Sequence, residues 1–187
     1  MSSTNKNLIR SFIIVPLLAT TLSMNTFMAS IDKAMLAADM STETSLSPEA
    51  QKLQLEREEK AAKIDAYYAK YDMPLKGTGM KMVLAAEKHG LDWRLVPAIA
   101  VRESSGGKND CKNNPFGWGS CKIGFESYDH AIEVVALNLG GDNPKTARYY
   151  EGKTVRGILQ TYNPPSVVPT YADEVIAIMN KIENIKV

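Results

Sequence analysis

An excess of charge of either sign is missing from this chain. Its 22 lysines and arginines stand against 21 aspartates and glutamates, a net charge of +1, so bulk electrostatics gives no case for binding nucleic acid and names no other partner. Histidine and cysteine are just as scarce. His89, His130, Cys111 and Cys121 are the whole supply, and they do not reproduce the usual ligand spacing of a zinc site, so a zinc site is not expected. Sustained heptads are absent as well: the polar stretch 49–71 does not repeat its apolar residues in coiled-coil register, which argues against a coiled-coil assembly and for a monomer.

One long uncharged run is present, and it lies at the start. Lys6 and Arg10 precede the uncharged run from Phe12 to Ile31, whose apolar heart is "FIIVPLLATTL". That heart has the length of a signal-peptide core, while the full run just suffices to span a bilayer. Residues 1–31 are therefore expected to be a signal peptide, cleaved near Ala29 or Ala38, or an uncleaved N-terminal membrane anchor. Either form exports the protein to the periplasm, the cell wall or the medium, with membrane association if the segment is retained. In such an oxidising compartment Cys111 and Cys121, flanking "KNNPFGWGS", are expected to form a disulfide. Closing that loop disfavours the unfolded chain by on the order of 3 kcal/mol.

Residues 32–60, rich in Ser, Thr, Glu and Lys, read as a polar spacer running into a polar helix. From Ala61 the pattern sharpens, and residues 61–187 are enough for one core of ordinary size. Ala61, Ile64, Tyr68 and Tyr71 recur at helical spacing, as a core or docked face rather than a sugar-stacking strip. A helix opened by Thr78 and closed by Gly90 should turn Met80, Val83 and Leu84 inward. A second follows from Asp92, with Pro97 in its first turn and Val96, Ile99, Ala100 and Glu103 on its inward stripe. Ser127 caps a helix of Tyr128, Ile132, Val135 and Leu139; Thr154 caps one of Val155, Ile158, Leu159 and Tyr162. The stretch Thr170 to Asp173 has the form of a capping box for a last helix with Tyr171, Val175, Ile178 and Ile182 inward. Glycines and alternating residues around "NPFGWGSCKIGF" predict a short hairpin or extended flap. The fold class is mainly α with a small extended flap.

Glu103 ends an apolar stripe, and that is chemically suggestive. A carboxylate on such a face loses hydration and, near a helix C-terminus, meets the negative end of the backbone dipole; both effects favour the protonated form. An acid that keeps its proton near neutral pH can protonate the leaving oxygen of a glycosidic bond. The plain alternative is a helix-end glutamate paired with Arg94 or Arg102. Tyr162 repeats the pattern, an apolar stripe ending on a polar tip, with a core tyrosine as its alternative.

Three segments in order carry a family resemblance. "AIAVRESSGG" resembles the "ES" segment of lytic transglycosylases and of the bacterial mannosyl-glycoprotein endo-β-N-acetylglucosaminidase-like domain, lysozyme-like enzymes whose catalytic Glu ends a core helix. Asn114, Phe116 and Gly117 match the "N-x-F-G" of the glucosaminidase branch. "TYNPPSVVPTYADEV" resembles the "YN" of transglycosylases at Tyr162 and Asn163, and the tyrosine-led C-terminal motif of the glucosaminidases. The "GLMQ" of soluble transglycosylases is missing. The resemblance spans roughly residues 90–183. It implies a lysozyme-like helical domain over 61–187 that cleaves the glycan strands of peptidoglycan between N-acetylated amino sugars, without metal or cofactor. Glu103 and Tyr162 would be the catalytic pair across a groove, with Ser104, Asn114, Phe116, Gly117, Trp118 and Asn163 as substrate-binding residues. Phe116 or Trp118 would lie against a sugar face, a buried Trp118 being the alternative. No second acid announces itself, though Asp110, Glu126, Asp129 and Asp142 are available. A noncatalytic wall-binding module with the same groove is the competing reading.

Overall fold

The computed structural model describes residues 47–187, so the signal or anchor segment and the first part of the spacer lie outside the described residues. Seven α-helices follow in chain order: α1 (Pro48–Lys70), α2 (Gly79–Lys88), α3 (Leu95–Ser104), α4 (Tyr128–Leu139), α5 (Ala147–Tyr150), α6 (Val155–Tyr162) and α7 (Tyr171–Glu183). The class is mainly α. Ser47 starts α1 by accepting the Ala50 N–H at 3.2 Å, with Pro48 at the first helical position, where no N–H is needed. The change expected at Ala61 falls inside this helix as a change of burial. Ala61, Ile64, Tyr67 and Tyr68 are buried, whereas Leu53 and Leu55 nearer its start are exposed. Tyr68 donates its hydroxyl to the Pro97 carbonyl at 3.2 Å, a satisfied core tyrosine.

The entry to α2 departs from expectation. Thr78 turns its hydroxyl back to the Leu75 carbonyl at 2.7 Å and caps nothing. Asp65 of α1 takes over, accepting the N–H of Gly77 at 2.7 Å and of Gly79 at 3.1 Å. Gly79 is required by the crossing itself, because a Cβ there would lie 2.4 Å from the Ala61 carbonyl. The inward stripe of α2 is Met82, Val83, Ala85 and Ala86, with Leu84 left exposed. The buried side of α2 is thus rotated from the predicted one, because the close approach at Gly79 fixes how the helix lies on α1.

Helix α3 is the axis of the domain. Leu95, Val96, Ala98, Ile99 and Ala100 are all fully buried, so it has no solvent face over its first turns and its stripe is a continuous girdle. Asp92 binds the Arg94 N–H and guanidinium just ahead of it. At the other end Ser105 adopts left-handed φ 54 and stops the helix. α7 packs along α3 and against α6, while α2 bridges to α4. Ser127 and Thr154 cap α4 and α6 as predicted, accepting the N–H of His130 and Gly157 at 3.2 Å each. Thr170 instead donates to the Glu174 carboxylate at 2.7 Å and forms no backbone cap. Tyr171, Val175 and Ile182 of α7 are buried as expected, joined by Met179, whereas Ile178 is only half-buried.

The predicted flap is not extended. Among the described residues there is no strand, only an isolated antiparallel bridge between Cys111 and Asn114 and a 3₁₀ turn over Trp118–Cys121. The reason is local: Lys112, Asn113, Ser120 and Cys121 all take positive φ between 55° and 59°, as do Gly117 and Gly119 at 61° and 64°. A chain that enters the left-handed region so often curls instead of pairing. The disulfide between Cys111 and Cys121 is present, with Cα atoms 5.9 Å apart.

Candidate active site

Glu103 stands one residue before the end of α3, half-buried. Neither arginine pairs with it. Arg94 binds Asp92 and Glu183, and Arg102 binds Glu174. Its partner is Tyr171, the first residue of α7, whose hydroxyl donates to Glu103 Oε1 at 2.5 Å. The Tyr171 ring is buried, stacked on Tyr162 with centroids 6.1 Å apart and planes 10° apart, and covered by the Arg102 guanidinium at 5.6 Å. Burial and the bonded Glu103 carboxylate push the Tyr171 phenol far above its ordinary value, and burial with the nearby Glu103 charge does the same to Tyr162. Both remain donors at any physiological pH.

The residues after Glu103 tie the helix end to the loop. Ser104, expected to touch substrate, is buried; its hydroxyl donates to the Pro115 carbonyl at 2.7 Å, with the Ala100 carbonyl at 3.1 Å, and accepts the Gly107 N–H at 2.9 Å. It is a latch and has no group left for a ligand. Asn114 is likewise buried and saturated, its amide donating to the carbonyls of Trp118 (2.8 Å) and Ile123 (3.0 Å) and accepting the Trp118 N–H (3.0 Å). Its role is to fix the turn that presents Trp118. Phe116 is fully buried, so its ring cannot stack on a sugar; it enters the site through its carbonyl, which accepts the Tyr162 hydroxyl.

Trp118 is half-buried and borders a cleft of about 380 Å³ lined by Gly117, Trp118, Gly119, Ser120, Tyr150 and Tyr162. The indole lies 5.7 Å from the Tyr162 ring and 6.4 Å from Tyr150, centroid to centroid. Three rings with polar tips thus form one wall, and the glycine-rich turn forms the other. Glu103 lies behind that turn, its Oε2 against Gly117. Asn163 ends α6 in extended conformation, half-buried beside Tyr162.

The four spare carboxylates sit elsewhere. Asp142 binds His89 Nδ1 at 2.6 Å, Asp110 bonds the Tyr128 hydroxyl, Glu126 is exposed beside His130, and Asp129 is exposed in the first turn of α4. None of them lines the cleft. Nor do the described residues contain a group of three or more His, Cys, Asp or Glu side chains arranged to hold a metal ion.

Two site residues escaped the sequence reading. Tyr171 was expected only as a scaffold residue of the last helix, although it leads an apolar stripe with a polar tip just as Glu103 ends one. Tyr150 belongs to the four-residue α5, too short to show any period. Compared with family models, curated proteins and solved structures, the chain matches none.

Proposed function

We propose that this domain cleaves the glycan strand of peptidoglycan between N-acetylated amino sugars, with Glu103 as the single acid. The observation that carries the reading is the placement of Glu103: the end of the most buried helix, unpaired with either neighbouring arginine, one oxygen held by a phenol and the other turned to the turn that walls an aromatic cleft. The lysozyme-like form of the helical domain belongs to this proposal, as does export through the N-terminal segment.

Each side chain then has a task. Tyr171 fixes the carboxyl by occupying Oε1, leaving Oε2 to pass its proton to the glycosidic oxygen as the C1–O bond breaks. Trp118, Tyr150 and Tyr162 offer apolar faces to pyranose rings, and the Trp118 indole N–H and the Tyr150 hydroxyl face their substituents, while the Tyr162 hydroxyl is held by the Phe116 carbonyl. Asn163 supplies an amide beside Tyr162 for an acetamido or hydroxyl group. Glu103 lies behind the Gly117 turn and no carboxylate lines the cleft among the described residues, so on this reading the nucleophile comes from the sugar itself. Attack by its 6-hydroxyl, whose proton returns to the Glu103 carboxylate, leaves an anhydro end; assistance by its acetamido group followed by water leaves a reducing end. Mass spectrometry of fragments released from purified peptidoglycan separates the two by one water. Protein that binds the glycan and releases nothing is the wall-binding module instead.

A further inference from the structure

We propose that Gly117 is a positioning residue whose bare Cα keeps open the approach to Glu103 Oε2, the place that the leaving glycosidic oxygen must occupy. The inference rests on Glu103 being the acid, and adds which of its oxygens acts and what guards it.

The two carboxyl oxygens have different surroundings. Oε1 is engaged by the Tyr171 hydroxyl at 2.5 Å, so an incoming sugar oxygen has to meet Oε2. An ideal Cβ at Gly117 would lie 3.2 Å from Oε2 and 3.9 Å from Cδ of Glu103. Being nearer to the oxygen than to the carbon, that point lies on the outer side of Oε2, a little beyond the separation of an oxygen–oxygen hydrogen bond. A methyl group there would take the position a proton acceptor needs. Gly117 also lines the cleft, whereas Glu103 does not, so Gly117 is the residue that stands between the aromatic wall and Oε2. Two constraints therefore meet at one residue. The backbone favours glycine because φ is +61°, and the chemistry needs it because of Oε2. Other glycines of the domain show only the first: Gly152, at φ +67°, has nothing within 4 Å of its ideal Cβ.

That difference supplies the test. Gly117→Ala and Gly152→Ala impose the same left-handed strain on alanine, and their melting temperatures should fall by similar amounts. On soluble uncrosslinked peptidoglycan strands, Gly117→Ala should lower kcat by at least about tenfold, with KM within about threefold of wild type, since the aromatic wall is untouched. Gly152→Ala should keep both constants. If Gly117→Ala retains wild-type kcat while Glu103→Gln is inactive, the proposal is overturned and the acid assignment stands; if Glu103→Gln is active, the assignment itself goes. Should Gly117→Ala not fold, the same change is made in Glu103→Asp protein, whose acid is one methylene shorter. Recovery of the fold there is the clash the proposal requires, and failure there places the cost in the backbone and overturns it.

Discussion

Helix α3 and the loop closed by Cys111 and Cys121 carry the two halves of the site, and they hold their shape by opposite means. Burial holds α3: five of the six residues from Leu95 to Ala100 are fully buried hydrophobics and the sixth is Pro97, also buried, and filled space around such a girdle resists any displacement of Glu103. The loop has few apolar anchors, the buried Pro115 and Phe116 and the half-buried Trp118. It is held by one covalent bond, by the three hydrogen bonds of Asn114 and by the Ser104 latch, against six positive φ values between 55° and 64°. The acid is thus placed by packing and the cleft wall by a few polar and covalent ties. Damage to the loop should cost function before it costs fold.

The largest effect that sharpens this contrast comes from breaking the disulfide. Reduction, or replacement of both Cys111 and Cys121 by Ser, removes about 3 kcal/mol in the loop-entropy picture. Gly117, Trp118, Gly119 and Ser120 all lie inside the closed ring. Fragment release from peptidoglycan should fall far more than far-ultraviolet circular dichroism does. Equal losses of helix content and activity would show that the loop is part of the cooperative core.

A second effect lies where the two regions join. Tyr171→Phe removes the donor to Glu103 and keeps the ring stacked on Tyr162. As Glu103 gives up its proton, the Tyr171 hydrogen bond comes to serve a charged carboxylate, where such a bond contributes about 1.5–3 kcal/mol, so turnover should drop by about 10- to 100-fold. Tyr162→Phe, which frees only the Phe116 carbonyl, should lose less. Initial rates on the same glycan strands rank the two.

The smallest effect concerns the scaffold far from the cleft. Glu133 of α4 binds Lys88 and Lys81 of α2, and these hydrogen bonds hold its carboxyl down at about 2. A depressed carboxyl stabilises the fold above its unfolded value of about 4.5, and that contribution fades as pH falls from about 4.5 to about 2. Because the pair with Lys88 is open to solvent on the lysine side, screening limits the contribution to about 1 kcal/mol or less. Chemical denaturation of Glu133→Gln at pH 7 should show a loss of that size, shrinking towards zero at pH 2, with fragment release unchanged.

The same division explains what could be read from the sequence. Helical periodicity located every long helix, and the stripe Val96, Ile99, Ala100 pointed to Glu103, because burial repeats with the helix turn. Caps were read correctly where a side chain acts on its own helix, at Ser127 and Thr154. They were missed at Thr78, where remote Asp65 takes over, and at Thr170, whose hydroxyl turns to the Glu174 carboxylate instead of the backbone. In the loop, alternation suggested strands, yet non-glycine residues at positive φ carry no periodic mark, and a hairpin was expected where a curl stands. Ser104, Asn114 and Phe116 were singled out as ligand contacts, whereas their exposure depends on tertiary packing that no local pattern encodes. Tyr171 reaches Glu103 across 68 positions of sequence, a pairing that only the docking of α7 on α3 creates.

The central claim, that Glu103 delivers the proton, is tested most directly by Glu103→Gln. Glutamine keeps the shape and can still accept from Tyr171 but has no proton to transfer. General acid catalysis contributes about 10²–10⁴-fold, so release of soluble muropeptides from purified peptidoglycan should fall by at least about a hundredfold, with sedimentation onto the same peptidoglycan and the melting temperature preserved. Release near the wild-type rate would make Glu103 a structural acid and contradict the account.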